Sequence, residues 1–471
     1  MMGALTSKPY AFSIRPWEIE SALIVDPQEP LGTPVRVDSR NGVPFRILPA
    51  NTPDKSALSP FHKEVSTEWI ADRSRFLYDG FRRQRLVQPL ARVSRSDPFK
   101  PVSWKSLLSS ISRLGPTPVL VGGPFLNLET IFSLKEISSS WNLRSTGVES
   151  SLFDFATLFR LSSSNFVSPD LLLFVGGGLR VLSPLFHLRV QRKLRQGVRS
   201  ISIGGSALAG GLQLSRRSSD LLRLVQGRHI ASQFILGTFQ PLIFLAHHLS
   251  GRPDYFSIVR ILQSLPHRNI VSLPLTWGAH NSSIVGISFP VQSHVSKPSW
   301  CWLLSADSWA VDSKISSVLY HGHHGDHGAS VATLLFPVLA PHEESAPYST
   351  CDVFCDPLPP SIPLPAVESL PTAREAVIAV GLLNSVDSLS FERAQPSRFF
   401  PVGSPSGFNE NHVDYSRVEH SWSRFGRLFS SPIYPAVVNP YQLNSIARAS
   451  RPLSLAANRL LSRSPSYNQL S

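Results

Sequence analysis

Leu171-Leu172-Leu173-Phe174-Val175-Gly176-Gly177-Gly178 is an unbroken apolar run that ends in three glycines, and a basic amphipathic helical stretch, Leu185 to Leu194, stands behind it. Apolar residues without alternation predict a strand covered on both faces, as in a parallel sheet sandwiched by helices. The same rhythm stands upstream. A helical stretch from Trp104 (WKSLLSSISRL) leads to Pro118-Val119-Leu120-Val121-Gly122-Gly123, after which Leu128, Ile131, Phe132, Leu134 and Ile137 recur at helical spacing from Asn127 onward. Further continuous strands are expected at Val198 to Ile203, Pro241 to Ala246 and Ile270 to Leu275. The fold class is therefore α/β, with αβα lobes built on mainly parallel sheets.

Outward from this body the patterning changes. Residues 1–100 read as a small β-containing domain: Arg36 to Pro49 (RVDSRNGVPFRILP) holds two extended runs about Asn41-Gly42, a pair that tolerates positive φ and predicts a β-hairpin. Glu68 to Leu86 (EWIADRSRFLYDGFRRQRL) predicts one short helix plus a turn at Asp79-Gly80. Residues 101–395 form the αβα body, two interleaved lobes, with the proline-rich stretch Pro357 to Pro371 as an extended connector. Residues 396–471 read as an irregular tail, ordered against partners.

With 471 residues and 42% apolar content the chain can bury a large core. The best candidate for a membrane span, Phe234 to Ala246, is shorter than the roughly 18 apolar residues needed and carries Gln240 and Pro241. Three cysteines, Cys301, Cys351 and Cys355, make no disulfide framework, and the start of the chain has no secretory pattern, so a reducing compartment is expected. A net charge of +13 raises a basic RNA-binding protein as one reading. Its cations, however, stand in short groups (Arg82 and Arg83, Arg192 to Arg195, Arg216 and Arg217) without an interleaved aromatic platform. A skewed genome would also give so much arginine, and a solvated or interface surface accounts for the charge more simply.

Two constellations could carry chemistry. Gly176, Gly177 and Gly178, followed by Arg180, sit where a strand hands over to a helix and could cradle a phosphate, although no full GxGxxG or Walker ending is present. His321-Gly322-His323-His324-Gly325-Asp326-His327 offers four imidazoles and a carboxylate, all candidate zinc or iron ligands; the glycines at 322, 325 and 328 favour a loop over a helix. Cys351 and Cys355 could form half of a metal site, but with Cys301 the only other sulfur of this type, a four-thiolate cluster is excluded within these residues. No GxSxG elbow occurs.

Taken together, the segments resemble the C-terminal, molybdopterin-oxidoreductase-like part of the large (75-kilodalton) iron–sulfur subunit of respiratory complex I. The resemblance rests on Arg15-Pro16-Trp17-Glu18, on residues 36–49 and 68–86, and on VLVGGPFLNLETIFSLK (119–135) and GGGLRVLSPLFHLRVQRK (176–193). It continues through YHGHHGDHGASVATLLFP (320–337), ExxPYST (344–350), PTARE (371–375) and NPYQLNSIARAS (439–450). The positions that carry it are Arg36, Asp38, Arg40, Trp69, Asp72, Tyr78, Asp79, Gly80, Arg83, Gln84, Arg85, His323, His324, Gly325, Asp326, Gly328 and Arg374; His321 and His327 are additions. The chain departs from the family at Leu179, usually proline, at Leu182, usually glutamate, and at Cys351 to Asp356, usually an acid-glycine-arginine stretch.

The resemblance implies a non-catalytic scaffold in the peripheral, NADH-oxidising arm of mitochondrial complex I, on the matrix side, with no cofactor or metal on this chain. Electron transfer from NADH to ubiquinone would run through iron–sulfur clusters and FMN on neighbouring subunits. The family's cluster-bearing N-terminal half has no counterpart in these residues, which implies a split subunit whose other half is encoded separately. Family sequence already starts at Arg15, so synthesis inside the organelle, rather than import with a long cleaved leader, is expected. In the family the histidine loop binds no metal, so its imidazoles would bond buried backbone groups. The alternatives are an active molybdopterin-dependent oxidoreductase and the RNA-binding protein.

Overall fold

A computed structural model describes residues 10–26, 28–29, 33–50, 69–114, 118–123, 126–140, 144–145, 169–204, 211–214, 216–238, 241–246, 249, 252, 254–264, 269–273, 300–307, 311, 315–344, 348–349, 354–355, 369–384, 432–433 and 439–463. Glu20–Val25 (β1), Pro34–Arg40 (β2) and Val43–Pro49 (β3) form an antiparallel sheet in that order. Asn41 (φ 51) and Gly42 (φ 74) both adopt left-handed backbone, the two-residue turn whose twist matches its strands. Next come Asp72–Arg75 (α1) and Tyr78–Arg82 (α2). This corrects the expectation of one helix and a turn: Asp79 and Gly80 lie inside α2. Gly80 serves close approach instead, since a Cβ there would stand 2.0 Å from the carbonyl oxygen of Ile446.

The body runs through Leu90–Ala91 (β4), Lys100–Pro101 (β5), Trp104–Ser112 (α3), Pro118–Gly122 (β6), Leu128–Ser140 (α4), Arg144–Ser145 (β7) and Leu171–Val175 (β8). Leu179–Leu182 (α5), Pro184–Arg195 (α6), Arg199–Ile203 (β9), Leu212–Gln213 (β10), Ser218–Val225 (α7), Ser232–Leu236 (α8), Pro241–Ala246 (β11), Tyr255–Gln263 (α9) and Asn269–Leu273 (β12) follow. The remaining elements are Trp300–Leu304 (β13), Ser317–Gly322 (β14), His327–Val331 (α10), Leu334–Pro337 (β15), Tyr348–Ser349 (β16), Phe354–Cys355 (β17), Ala373–Asn384 (α11), Ser445–Ala449 (α12) and Arg451–Arg463 (α13).

Two sheets organise these elements. One is fully parallel, in the order β10-β9-β8-β11-β12; the other runs β5-β4-β15-β14-β13-β6-β7, parallel except for the β4 and β5 edge. The five-stranded lobe is inserted in sequence between β7 and β13, and the β4–β5 pair, from the region read as the small domain, edges the body's larger sheet. In β8 the period of two sends Leu172 and Phe174 against Phe186 and Val190 of α6. Leu171, Leu173 and Val175 go against Leu221 and Leu224 of α7 and Ile258 and Leu262 of α9. Both faces are buried, which is why the run shows no alternation; each such side chain contributes about 1.5–3 kcal/mol. On the larger sheet Trp300, Trp302 and Leu319 pack on α3, α4 and α11, through Ile111, Leu134 and Val377 among others.

The C-terminal region departs from the irregular tail expected. Residues 385–431 lie outside the described part, as does most of the proline-rich connector, but α12 and α13 are helices, and Ile446, Ala447 and Leu453 complete the N-terminal core with Ile24, Val37, Leu77 and Phe81. Ile433 fills the space over Gly204 (φ 71) in the five-stranded lobe. Apolar residues at helical spacing on α13 give it a face to bury, and Asn444 caps α12 by accepting from Ala447 N–H at 2.7 Å. Glu29, fully buried between β1 and β2, pairs with Arg73 of α1 at 3.0 Å and accepts from the Ser183 hydroxyl at the start of α6, tying the small sheet to the parallel lobe.

Candidate functional site: the carboxyl end of the larger sheet

The histidine-rich stretch is not a simple loop: His321 and Gly322 end β14, residues 323–326 turn, and His327 opens α10. Its glycines keep ordinary negative-φ backbone and serve packing. A Cβ on Gly322 would stand 2.6 Å from the Tyr320 ring, and one on Gly328 2.4 Å from the Ala306 carbonyl oxygen.

Three of its imidazoles are buried and His327 is exposed. His321 lies between the rings of Trp302 and Phe336, with centroids 6.4 and 5.6 Å away, and burial pulls its pKa down to about 3. His324 Nε2 is 2.8 Å from the Gly80 carbonyl oxygen, so Nε2 carries the hydrogen and donates. Its Nδ1 is then an acceptor, and His323 Nδ1–H, 2.6 Å away, donates to it. This relay requires neutral rings. Burial first and the Arg85 cation second hold His324 at about 3, while burial and the neighbouring His324 keep His323 well below the usual histidine range. His342 stacks on Phe81 at 3.7 Å and is likewise depressed by burial. Among the described residues no group of three or more His, Cys, Asp or Glu side chains is arranged to hold a metal ion.

Arg85 reaches into this cluster. Gln84 takes a left-handed φ of 55 and its carbonyl accepts from Gly325 N–H at 2.7 Å, so that Arg85 bridges to His324. The guanidinium donates to the carbonyls of His323 (2.5 Å) and Val338 (3.0 Å) and pairs with Glu343, which also accepts from Ala340 N–H. Beside it, Tyr320 donates to Asp307 (3.1 Å), and Arg448 of α12 binds Asp326 and Asp307, the latter at 3.6 Å. Burial and the Asp326 charge push Asp307 up to about 6, against the pull of Arg448. Glu344 accepts from Ala373 N–H at the start of α11 and from Asn127, which itself caps α4; burial pushes Glu344 up to about 8.

The other singled-out residues take structural places. Asp38, almost fully buried in β2, binds Arg36 on its own strand and Arg46 across the hairpin, and Arg40 pairs with Glu18 at 2.9 Å. Trp69 is exposed and Asp72 sits in the first turn of α1. Tyr78 is buried in α2; Asp79 pairs with Arg83 (2.7 Å) and accepts from Arg451 N–H at the start of α13 (3.0 Å). Arg374 lies 3.8 Å from Glu129. Gly176 has φ 79 and faces Leu249, Gly178 precedes the four-residue α5, and Arg180 is exposed. Cys351 lies outside the described residues; Cys355 lies in β17. Cys301 is buried in β13, where desolvation pushes its thiol up to about 12.

Glu343, Asp307, Arg448, Glu29 and Arg73 escape the sequence reading because their partners are far along the chain. Arg73 and Arg448 lay in flagged blocks, residues 68–86 and 439–450, but nothing there pointed to their partners.

This polar knot at the carboxyl ends of parallel strands, framed by an inserted parallel lobe, defines the class. The profile of the molybdopterin oxidoreductase family matches residues 85–355, and the chain belongs to that family. It is similar to the NADH-ubiquinone oxidoreductase 75 kDa subunit of Reclinomonas americana, with 28% identity covering 74% of this chain and 55% of the relative. It is similar also to an NADH-quinone oxidoreductase subunit of Rickettsia felis (27%, 74% and 53%). A third relative is the mitochondrial NADH dehydrogenase (ubiquinone) iron-sulfur protein 1 of Solanum tuberosum (25%, 96% and 63%). The chain thus spans a little over half the length of these relatives.

Proposed function

We propose that this chain is a non-catalytic scaffold in the peripheral, NADH-oxidising arm of mitochondrial complex I, on the matrix side, where electrons pass from NADH to ubiquinone through FMN and iron–sulfur clusters held elsewhere in the assembly. In open α/β sheets ligands bind beyond the carboxyl ends of the strands, and one observation carries the reading: here that position is filled by the Arg85–Glu343 pair and the histidine relay.

The pterin cofactor implied by the family name does not fit the residues present. Backbone can cradle its phosphates only where glycine faces stand open. Three glycines at the strand ends are closed by the chain's own atoms: a Cβ on Gly123 would lie 2.0 Å from Ser305 oxygen, on Gly176 2.7 Å from Leu249, and on Gly204 2.4 Å from Ile433. The Cys301 thiol is locked in the sheet and offers no metal ligand at the crevice. No helix among the described residues is long and apolar enough to cross a membrane, so membrane association would come through the assembly.

In native electrophoresis of mitochondrial membranes the chain is expected to migrate with NADH dehydrogenase activity in a very large complex, together with the cluster-bearing part of the subunit. Migration as a free protein would overturn the scaffold, and stoichiometric molybdenum in the purified chain would favour an oxidoreductase.

A further inference from the structure

The basic charge is not spread over the chain. Residues 171–270, essentially the five-stranded lobe, hold 13 of the 45 Lys and Arg but only 2 of the 32 Asp and Glu, Asp220 and Asp254, a net of +11 out of +13. The rest of the chain is almost balanced, so a genome-wide arginine bias does not explain the asymmetry. Both acids are already engaged, Asp220 with Arg223 and Asp254 with Arg252. Twelve of the 13 cations are arginine.

The fold gathers part of this charge on one rim, at the amino end of β9. Arg192 and Arg195 are exposed on the last turn of α6, and a turn at Gly197 (φ 95) leads to the exposed Arg199. The Arg199 guanidinium lies over the ring of Phe234 in α8, 4.9 Å from its centroid, which links the two sides of the sheet. Arg228 and Ile230, the latter 87% exposed, continue the rim in the turn between α7 and α8. The edge strand β10 pairs with β9 only at Ile201 and Ser202, so it does not cover β9 at Arg199. Among the described residues no carboxylate is paired with Arg192, Arg195, Arg199 or Arg228.

We infer that this arginine rim is a docking surface for a carboxylate-rich segment of a partner protein. Crowded like charges destabilise a free surface and are relieved by a partner of opposite sign. Guanidinium forks match carboxylates two bonds at a time, and arginine flanked by exposed apolar side chains is the composition of protein interfaces. A membrane surface fits less well, because the apolar face of α6 (Leu185, Phe186, Val190) is spent on the sheet and cannot insert. Single-stranded nucleic acid fits less well too, because Phe234, the rim's aromatic, already has Arg199 on its face. The inference deepens the scaffold reading and rests on it for its setting.

The test measures retention of the full purified chain on a polyglutamate peptide, on phosphatidylserine vesicles and on polyuridine RNA over a salt series. Polyglutamate should bind best. The R192E/R195E/R199E variant should bind it about tenfold more weakly, R192K/R195K/R199K should fall between, and K105E/R113E, on exposed positions outside the lobe, should bind as the wild type. Tighter binding to vesicles or RNA, or equal losses in the control, would overturn the inference, with unchanged thermal unfolding confirming that each variant is folded. No assembly is needed, so weak polyglutamate binding by a chain that co-migrates with complex I refutes the rim alone, and the reverse pattern refutes the scaffold alone.

Discussion

Arg85 and Glu343, 258 positions apart, form an ion pair whose side chains are 3% and 2% exposed. The pair joins the chain leaving the small N-terminal sheet to the segment that follows β15, and its guanidinium also donates to the backbone carbonyls of Leu86, His323 and Val338.

Removing one partner leaves a buried charge uncompensated, at a cost of about 3–5 kcal/mol. Glu343→Gln and Arg85→Ala should each lower the first thermal transition strongly, whereas R85M/E343L should recover a large part of the loss. Calorimetry checks this, and single variants as stable as the wild type would contradict the pair's role.

The buried imidazoles set an acid limit. His321 and His324 fall from 6.5 to about 3, and His323 and His342 also fall well below 6.5. A depressed folded-state pKa means the unfolded chain binds more protons, so stability is fully present above pH 6.5 and is lost as pH drops toward 3. Urea midpoints measured from pH 7.5 to 5 should decline, and His321→Phe should flatten the decline.

Arg448 holds two carboxylates, one of them, Asp307, already raised to about 6 by burial. Arg448→Met should cost about 1–2 kcal/mol above pH 6, where Asp307 is ionised, and progressively less as pH falls below 6 and Asp307 takes up its proton in the folded protein. Hydrogen exchange of α12 and α13 against pH reads this out, and a pH-independent loss would refute it.

Gly80→Ala should separate α2 from α12, because the added methyl meets the Ile446 carbonyl. Limited proteolysis is expected to release the C-terminal helices from the variant while leaving them protected in the wild type.

Cys301 should resist alkylation at pH 8 until the larger sheet unfolds, given its burial and a thiol at about 12. Peptide mass mapping after iodoacetamide treatment checks it; rapid labelling under native conditions would count against the packing described.

The sequence pattern predicts the parallel strands because local burial writes itself into local composition: β8, β6 and β11 are apolar on both faces and show it residue by residue. The hairpin at Asn41-Gly42 is legible for the same reason, through backbone preference. Asp79-Gly80 misleads, because a glycine needed for an approach by a carbonyl 366 positions later looks the same in sequence as one needed for a turn. The candidate site is only half legible. Its histidines stand together, but Glu343, Asp307 and Arg448 are joined to them by tertiary folding, and the placement of α12 and α13 depends on a core whose other half lies at the opposite end of the chain.

That last arrangement has a consequence for biogenesis. The core under the first three strands stays open until Ile446, Ala447 and Leu453 have been made, and β6 waits for β13 while the whole five-stranded lobe is synthesised between them. During translation the early strands therefore stay incomplete while all the intervening residues are made, and the apolar faces left open in that interval are of the kind that makes folding intermediates prone to aggregate.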